Sequence, residues 1–283
     1  MINIKIICIL VCVLILYKII YKHRYKLAIM AIFKEEHNYM QEWLDHHINQ
    51  GISHFYLYNN DPNIEKYPYL LDGKYKKYVT LIEWINIDNK TQTVQKQAYS
   101  DCVKNYHKEY DYIMALDLDE FIFTTNGYKV IDIINSINKC DVKAFKIPRY
   151  NYGSNGHLVK PKGNVVNNYR MREKTCSSYK TIANSECIDI NKNFFGVHDF
   201  NLIDGSGKIY NEIFNYKYTG VPNKCPINFV NEIPLVINHY YTKSKEEYLK
   251  RCELWKTGGV NRIGVRKNCE NNFNKVDVNE IYD

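Results

Sequence analysis

Four consecutive residues, Asp117-Leu118-Asp119-Glu120, carry the strongest chemical signal in the chain. They close the apolar run Asp111–Leu116. Carboxylates two apart in extended backbone point to the same side, and a turn beginning there lets both face one ion. Hard oxygen ligands of this kind suit Mg2+ or Mn2+ shared with a diphosphate, where the ion offsets charge growing on a departing nucleoside diphosphate. The plain alternative is an acidic strand end facing solvent; a place at the carboxyl end of a parallel strand, where open α/β sheets bind ligands, favours the ion. A second candidate, His239, ends the run Leu235-Val236-Ile237-Asn238. After it come Tyr240, Tyr241, Thr242 and Lys243, then Ser244 with Glu247 three residues on, a capping box that starts a helix. A helix N-terminus with a lysine beside it is an anion site.

Two weaker signals accompany these. Gly153-Ser154-Asn155-Gly156-His157 follows a strand but matches neither the dinucleotide fingerprint nor the Walker A pattern; it reads as an acceptor-side loop or as a turn. His198-Asp199 reads as a base or ligand pair, or as a surface loop. GxSxG is absent, and so is HExxH, since His46-His47 lack that spacing. Cues for a hydrolase nucleophile or a zinc peptidase are therefore missing.

The elements that position these residues alternate. Leu27–Phe33 reads as a buried strand, His37–Asn49 as a helix stopped by Gly51, and Ser53–Tyr58 as a strand before the turn Asn59-Asn60-Asp61-Pro62. Val79–Ile85 is a third strand, Thr91–Tyr110 a long polar helix and Asp111–Leu116 a fourth strand. This βαβαβαβ order predicts an α/β fold with a parallel central sheet and helices on both faces. The second half is less regular: strands at Val142–Pro148, Tyr179–Ile190, Phe194–Phe200 and Leu235–Asn238, a helix over Ser244–Lys256, and an irregular polar tail.

At 283 residues the chain can bury one large core, and its 45% hydrophobic and 24% charged residues are those of an ordinary globular domain. Disorder, collagen and a polytopic membrane protein are excluded. The net charge is +7, but Lys5, Lys18, Lys22, Arg24 and Lys26 supply +5 of it with no acid among residues 1–26, leaving +2 for the rest. That balance fits a membrane flank and argues against a nucleic-acid partner. Ile6–Tyr17 is free of charge, Ile19–Tyr21 extend it past Lys18, and no small-residue cleavage site follows. Residues 1–26 are therefore expected to be a single-pass membrane anchor and 27–283 the globular domain. The heavier positive flank lies after the apolar run, which places the domain in the cytosol; an ER or Golgi lumen is the alternative, in which the sequon at Asn89 would matter. Nine cysteines, at 8, 12, 102, 140, 176, 187, 225, 252 and 269, show no CxxC and no zinc spacing. Read as scattered free thiols, they also suggest a reducing compartment.

Taken in order, these stretches resemble a known family. Lys34-Glu35-Glu36, Tyr39-Met40-Gln41-Glu42-Trp43-Leu44, His47, Gly51 and Phe55–Asn60 resemble the opening of family 92 glycosyltransferases and their family 2-like relatives. Gln95, Ala98-Tyr99 and Asp101-Cys102 resemble the family's QxxAYxDC helix, and Asp117–Phe121 its DxDEF motif. Gly153–His157 resembles its FGSNGH-type loop. Lys180, His198 and Asn238-His239-Tyr240 with Lys243–Glu247 resemble its ending. The resemblance runs from about residue 27 to 256.

It implies a GT-A fold, a UDP-linked or other nucleotide-sugar donor, a glycan or glycoconjugate acceptor, a divalent metal (Mn2+ or Mg2+) and an inverting mechanism. By position, Lys34, Glu36 and Asn60 would line the nucleoside pocket, supported by Gln95 and Asp101. Asp117 would face the ribose or metal, Asp119 and His239 would ligate the metal, and Lys180 or Lys243 would hold the diphosphate. Gly153, Asn155, Gly156, His157 and His198 fall on the acceptor side. This sequence has Glu35 where the family often has Asn, Asn59 where it often has Asp, and Asn167-Asn168-Tyr169 where relatives often carry an acid before an aromatic. The general base is then sought among Asp199 and Glu173, since inversion needs a carboxylate or histidine within reach of the acceptor hydroxyl. The rival readings are a tethered, catalytically degenerate sugar-binding module and a metal-dependent phosphohydrolase or nucleotidyltransferase.

Overall fold

The computed structural model describes residues 24–71, 73–85, 93–137, 139–176, 178–192, 197–205, 207–212, 231–257 and 268–283. The expected anchor falls almost wholly on residues 1–23 and so lies outside them; among the described residues no helix is long and apolar enough to cross a membrane.

Among the described residues a nine-stranded sheet organises the fold. β1 (Leu27–Phe33), β2 (His54–Asn59), β3 (Val79–Glu83) and β4 (Tyr112–Ala115) run parallel in the order β3-β2-β1-β4, as the alternating pattern predicts. Beyond β4 the sheet is mixed, so that it is mostly and not wholly parallel. β8 (Ser178–Asn184) runs antiparallel to β4 and to β6 (Val142–Asn151). β10 (Leu235–His239) is parallel to β6, and β5 (Glu120–Thr124) returns antiparallel along β10. β9 (Lys208–Tyr210) adds to β6 on its own branch, and β7 (Met171–Arg172) pairs separately with β11 (Ile281–Tyr282).

Both faces of the sheet are covered, which is why its strands read as continuous apolar runs. Successive side chains of β1 go to opposite sides. Leu27, Ile29, Ala31 and Phe33 join one core with Met40, Trp43 and Leu44 of α1 (Met40–Asn49) and Val130 and Ile134 of α3 (Val130–Ser136). Ala28 and Met30 join the other with Ala98, Tyr99, Cys102 and Val103 of α2 (Val94–Tyr106). Thr93 starts α2 by accepting from the Lys96 N–H at 3.3 Å. α1 ends at Gly51, whose φ of +86° favours glycine and where a side chain would meet Ile131 at 2.2 Å.

Three further expectations change. Tyr179–Ile190 is strand only to Asn184, then a 3-10 turn at Ser185–Cys187. Residues 193–196 lie outside the described set, and 197–200 are not a strand. The tail holds a helix, α5 (Cys269–Val276), which packs on α4 (Lys245–Thr257) through a Cys252–Cys269 disulfide. Cys176 is disulfide-bonded as well. The free-thiol reading therefore fails at these positions, because a sequence separation of 17 carries no signal of its own.

Candidate active site

The carboxyl ends of β1, β4, β6 and β10 and the start of β5 meet at one edge of the sheet. The acidic motif sits there as a tight turn. The Glu120 N–H donates to the Asp117 carbonyl at 3.0 Å, and the Glu120 carboxylate accepts from the Asp117 N–H at 3.0 Å. From α1, Trp43 donates its indole N–H to the Asp117 and Glu120 carbonyls at 3.2 and 2.9 Å. The "EWL" stretch thus sets the turn.

Because the backbone turns, the two aspartates separate. Asp117 accepts from Gln95 Nε2 (2.7 Å), Tyr99 OH (3.1 Å) and Lys180 Nζ (3.0 Å). Asp119 faces His239 Nε2 at 3.5 Å and Arg251 at 3.0 Å. Glu120, fully buried, is held by Arg149 (2.8 Å) and Lys180 (3.1 Å). Register explains the Asp119–His239 approach: His239 pairs with Glu120 across β10 and β5, and the Tyr240 N–H donates to the Asp119 carbonyl at 2.8 Å.

The electrostatics split the same three carboxyls. Burial pushes all of them up. At Asp119, His239 and Arg251 outweigh burial and hold the carboxyl well below its ordinary range. At Glu120, Lys180 and Arg149 do the same. At Asp117 the Lys180 charge does not outweigh burial, and Glu120 and Asp119 add repulsion, so its carboxyl is raised. Glu36 is also raised, first by burial, with Lys243 opposing. Like-charge crowding that spreads pKa values apart is characteristic of sites that do chemistry.

His239 is oriented by Asn151, whose side-chain oxygen lies 2.7 Å from Nδ1. That contact fixes the ring plane through Nδ1 and points Nε2 at Asp119, as an outer-shell partner does for a metal ligand. The parallel pairing of β10 with β6 puts Asn151 opposite His239. Asn151 is itself fixed by Glu173, which accepts its N–H at 2.6 Å. Among the described residues, no group of three or more His, Cys, Asp or Glu converges as a metal cage. Asp119 and His239 form a two-donor pair, which fits a divalent cation that takes its other oxygens from phosphate and water. Asp117, expected as a third ligand, is instead engaged by Gln95, Tyr99 and Lys180.

Cations line the opposite rim. Lys243 is buried with a left-handed φ of +52°, a strained conformation of the sort found at functional sites. Its Nζ lies 3.9 Å from the Tyr39 ring centre and 3.8 Å from Glu36. Lys160 covers the Tyr39 ring too, at 4.4 Å. The Ser244–Glu247 capping box forms as expected: the Glu247 N–H donates to Ser244 Oγ (3.3 Å) and the Ser244 N–H to the Glu247 carboxylate (3.2 Å).

Other expected residues lie at varied distances from this cluster. Lys34 is exposed; Asn60 donates its N–H to the Phe33 carbonyl at 3.0 Å, at the end of β1. Asp101 accepts from Tyr58 OH at 2.7 Å, on the side of α2 that packs on the sheet. Gly153–His157 begins beside His239, since the Tyr152 N–H donates to the His239 carbonyl at 2.8 Å. His198 contacts the Tyr179 carbonyl at 3.1 Å, and burial, then Lys180 and Arg149, push its ring down to about 2, so it is neutral. Asp199 lies with Tyr179 and Thr181, which alternate to the side of β8 opposite Lys180. It accepts from Tyr179 OH (2.8 Å), Thr181 Oγ1 (2.9 Å) and the Phe200 N–H (2.9 Å), and pairs with Lys146 (3.2 Å).

Sequence reading missed Arg251, Arg149 and Asn151. Arg251 lies seven residues past the cap of α4, and Arg149 and Asn151 close β6; nothing in their local pattern marks them. A polar residue ending a strand parallel to the one that ends in His239 is the signal for Asn151, legible only with the pairing known.

Among solved structures the chain is similar to HddC from Yersinia pseudotuberculosis, at 14% identity and a TM-score of 0.36 over 82% of this chain and 99% of that one. It is also similar to a structure named as a glucose-1-phosphate thymidylyltransferase from Bacillus anthracis in complex with a sucrose, at 8% identity and a TM-score of 0.32 over 57% and 72%. Both likenesses are faint and carry no argument about this chain. No curated protein matches it. The family described as glycosyltransferase family 92 matches residues 24–257, and the chain belongs to that family.

Proposed function

We propose that the chain is a metal-dependent glycosyltransferase of the GT-A type, moving a sugar from a nucleoside-diphosphate donor, UDP-linked for preference, to a hydroxyl of a glycan or glycoconjugate with inversion. The observation that carries this reading is the convergence of Asp119 and Asn151-oriented His239 at the ligand edge of the sheet. Those two residues would hold Mn2+ or Mg2+. When bound, the ion supplies charge compensation to the departing diphosphate. Lys243 and Lys160, across the mouth, add positive charge for the same anion. Gln95, Tyr99 and Lys180 fix Asp117 as an acceptor on the donor side. Of the two candidates for the base, Glu173 is favoured, because it lies one residue from His239 through Asn151, whereas Asp199 is engaged by four partners on the other side of β8.

Residues 1–26 are proposed as the membrane tether. β1 begins at the sheet edge opposite the site, so a tether there leaves the site facing away from the bilayer. The Cys252–Cys269 bridge supports an oxidising compartment, hence the lumenal side.

The test is nucleoside-diphosphate release from a panel of nucleotide sugars, with and without Mn2+, and with Asp119→Ala as control. Release from one donor that needs metal and is lost in the variant supports the reading and names the sugar. Nucleotide binding without release, in the presence of a panel of acceptor glycans, supports a degenerate binding module. Turnover of nucleotides that lack a sugar supports a phosphohydrolase. Absence of any nucleotide binding removes the proposal.

A further inference from the structure

The family match stops at residue 257, yet the segment that follows it returns to the rim of the site. α5 is fastened to α4 by the Cys252–Cys269 bridge and by Phe273 against Tyr248 (ring centres 5.5 Å apart). Beyond α5 the chain runs along the Gly153–His157 loop. The Asp277 carboxylate accepts the Ser154 N–H on one oxygen and the Ser154 hydroxyl (2.9 Å) on the other. Asn279 Oδ1 accepts the Asn155 N–H at 2.9 Å. The loop turns through two left-handed residues, Asn155 (φ +55°) and Gly156 (φ +77°), and the tail takes up the two N–H groups that precede Gly156, Ser154 on Asp277 and Asn155 on Asn279. The fit is close: a Cβ at Gly153 would lie 2.1 Å from the Val278 carbonyl oxygen. Past Asn279, β11 pairs with β7, and Asp283 bonds Tyr152 OH and Arg172.

We propose that residues 268–283 are a clamp that sets the position of the acceptor-side loop, with Asp277 and Asn279 as positioning residues, so that this tail governs acceptor use and not donor use. Tyr152, the residue before the loop, donates its N–H to the His239 carbonyl and so anchors the loop's base at the site, while the tail holds the loop beyond it at Ser154 and Asn155. None of the hydrogen bonds described between the tail and the rest of the chain reaches Gln95, Asp117 or Lys180, the donor-side residues. A charged acceptor holding two loop donors is the dominant contact, and its loss is the step that frees the loop. The acceptor half of this inference rests on the proposed function; the clamp itself does not.

Two readouts in the full chain test it. Backbone hydrogen exchange at Ser154 and Asn155 is expected to quicken at least about tenfold in Asp277→Ala. It should quicken likewise in Gly153→Ala, which drives the two segments apart from the loop side, and Asp277→Asn, which keeps an acceptor oxygen, should restore most of the protection. In transfer assays Asp277→Ala is expected to raise acceptor KM about tenfold while donor KM stays within twofold. Unchanged exchange in both alanine variants overturns the clamp whether or not the chain transfers sugar. Faster exchange with donor and acceptor KM rising together, or with acceptor KM unmoved, overturns its selectivity. A wild-type chain that transfers nothing overturns the proposed function alone, and exchange then decides the clamp.

Discussion

Asp119 and Asp199 are both shielded carboxylates paired with a cation, and they are built for opposite ends. Asp199 lies among complementary partners: two hydroxyls, one backbone N–H and Lys146. Asp119 shares its surroundings with Asp117, Glu120 and Glu36, and faces Arg251 at 3.0 Å and His239 Nε2 at 3.5 Å. A closed network of matched groups specifies structure. A crowd of like charges, held in place by Trp43, Arg149 and Lys180, suits the cation proposed above. What separates the two is therefore the sign and completeness of the neighbours, not depth of burial.

The largest expected effect sharpens this contrast. Asp119→Ala should lower kcat/KM by about a thousandfold or more, the scale of losing a main source of transition-state charge stabilisation, while stability falls less than in Asp199→Ala, because Arg251 keeps the Tyr241 carbonyl as a partner and repulsion on Asp117 is relieved. Asp199→Ala should do the reverse. It strips a buried Lys146 of its ion-pair partner, which costs about 3–5 kcal/mol of stability, with specific activity per folded molecule retained. Denaturant titrations and steady-state rates on both variants decide the matter; a stable, inactive Asp199→Ala would reverse the assignment of roles.

A smaller effect should appear one shell out. The Asn151 side chain meets the His239 ring at Nδ1. Its replacement by alanine frees the ring to rotate and change tautomer, and should weaken Mn2+ binding about 10- to 100-fold. Titration calorimetry with the metal alone reads this without any substrate. Binding of wild-type strength in Asn151→Ala would show that the Asp119–His239 pair does not depend on the orientation argued above.

Much of this was legible in the residues. β1 to β4 and the helices between them follow from hydrophobic period, and the acidic turn and the His239–Ser244 stretch stood out by type and position. The direction of β8 was not legible, since a strand buried on both faces shows the same unbroken apolar run whichever way it points. The setting of Asp199 was not legible either, because a carboxylate next to a histidine says nothing of Tyr179, Thr181 and Lys146, which reach it through the sheet. Arg251 and Asn151 acquire meaning from partners 132 and 88 residues away. The tail's role rests on loop N–H groups, which every residue but proline has and no sequence pattern distinguishes.

His47 extends the comparison to a group whose neighbours are complete for one charge state only. Its ring is fully buried between Trp43 (centres 4.5 Å apart) and Phe121 (5.7 Å). Nδ1 donates to the Trp43 carbonyl at 2.7 Å, and Nε2 accepts the Ile122 N–H at 3.3 Å. A second proton has nowhere to go without breaking the bond to Ile122. Burial, then the neighbouring His46, accordingly hold its pKa well below 6.5. The sign follows from linkage. Above pH 6.5 the ring is neutral folded and unfolded, and nothing changes. Below it the unfolded chain takes up a proton that the native ring refuses, so stability falls by about 1.4 kcal/mol per pH unit until the folded pKa is reached. Urea titrations between pH 8 and 5 should show at least that slope, since depressed rings such as His198 add their own, and His47→Gln, which offers an acceptor to Ile122 but no titration, should remove one proton's worth of it. An equal slope in the two proteins would mean that His47 already carries its charge in the fold, and that a buried ring hydrogen-bonded on both sides is no proof of neutrality.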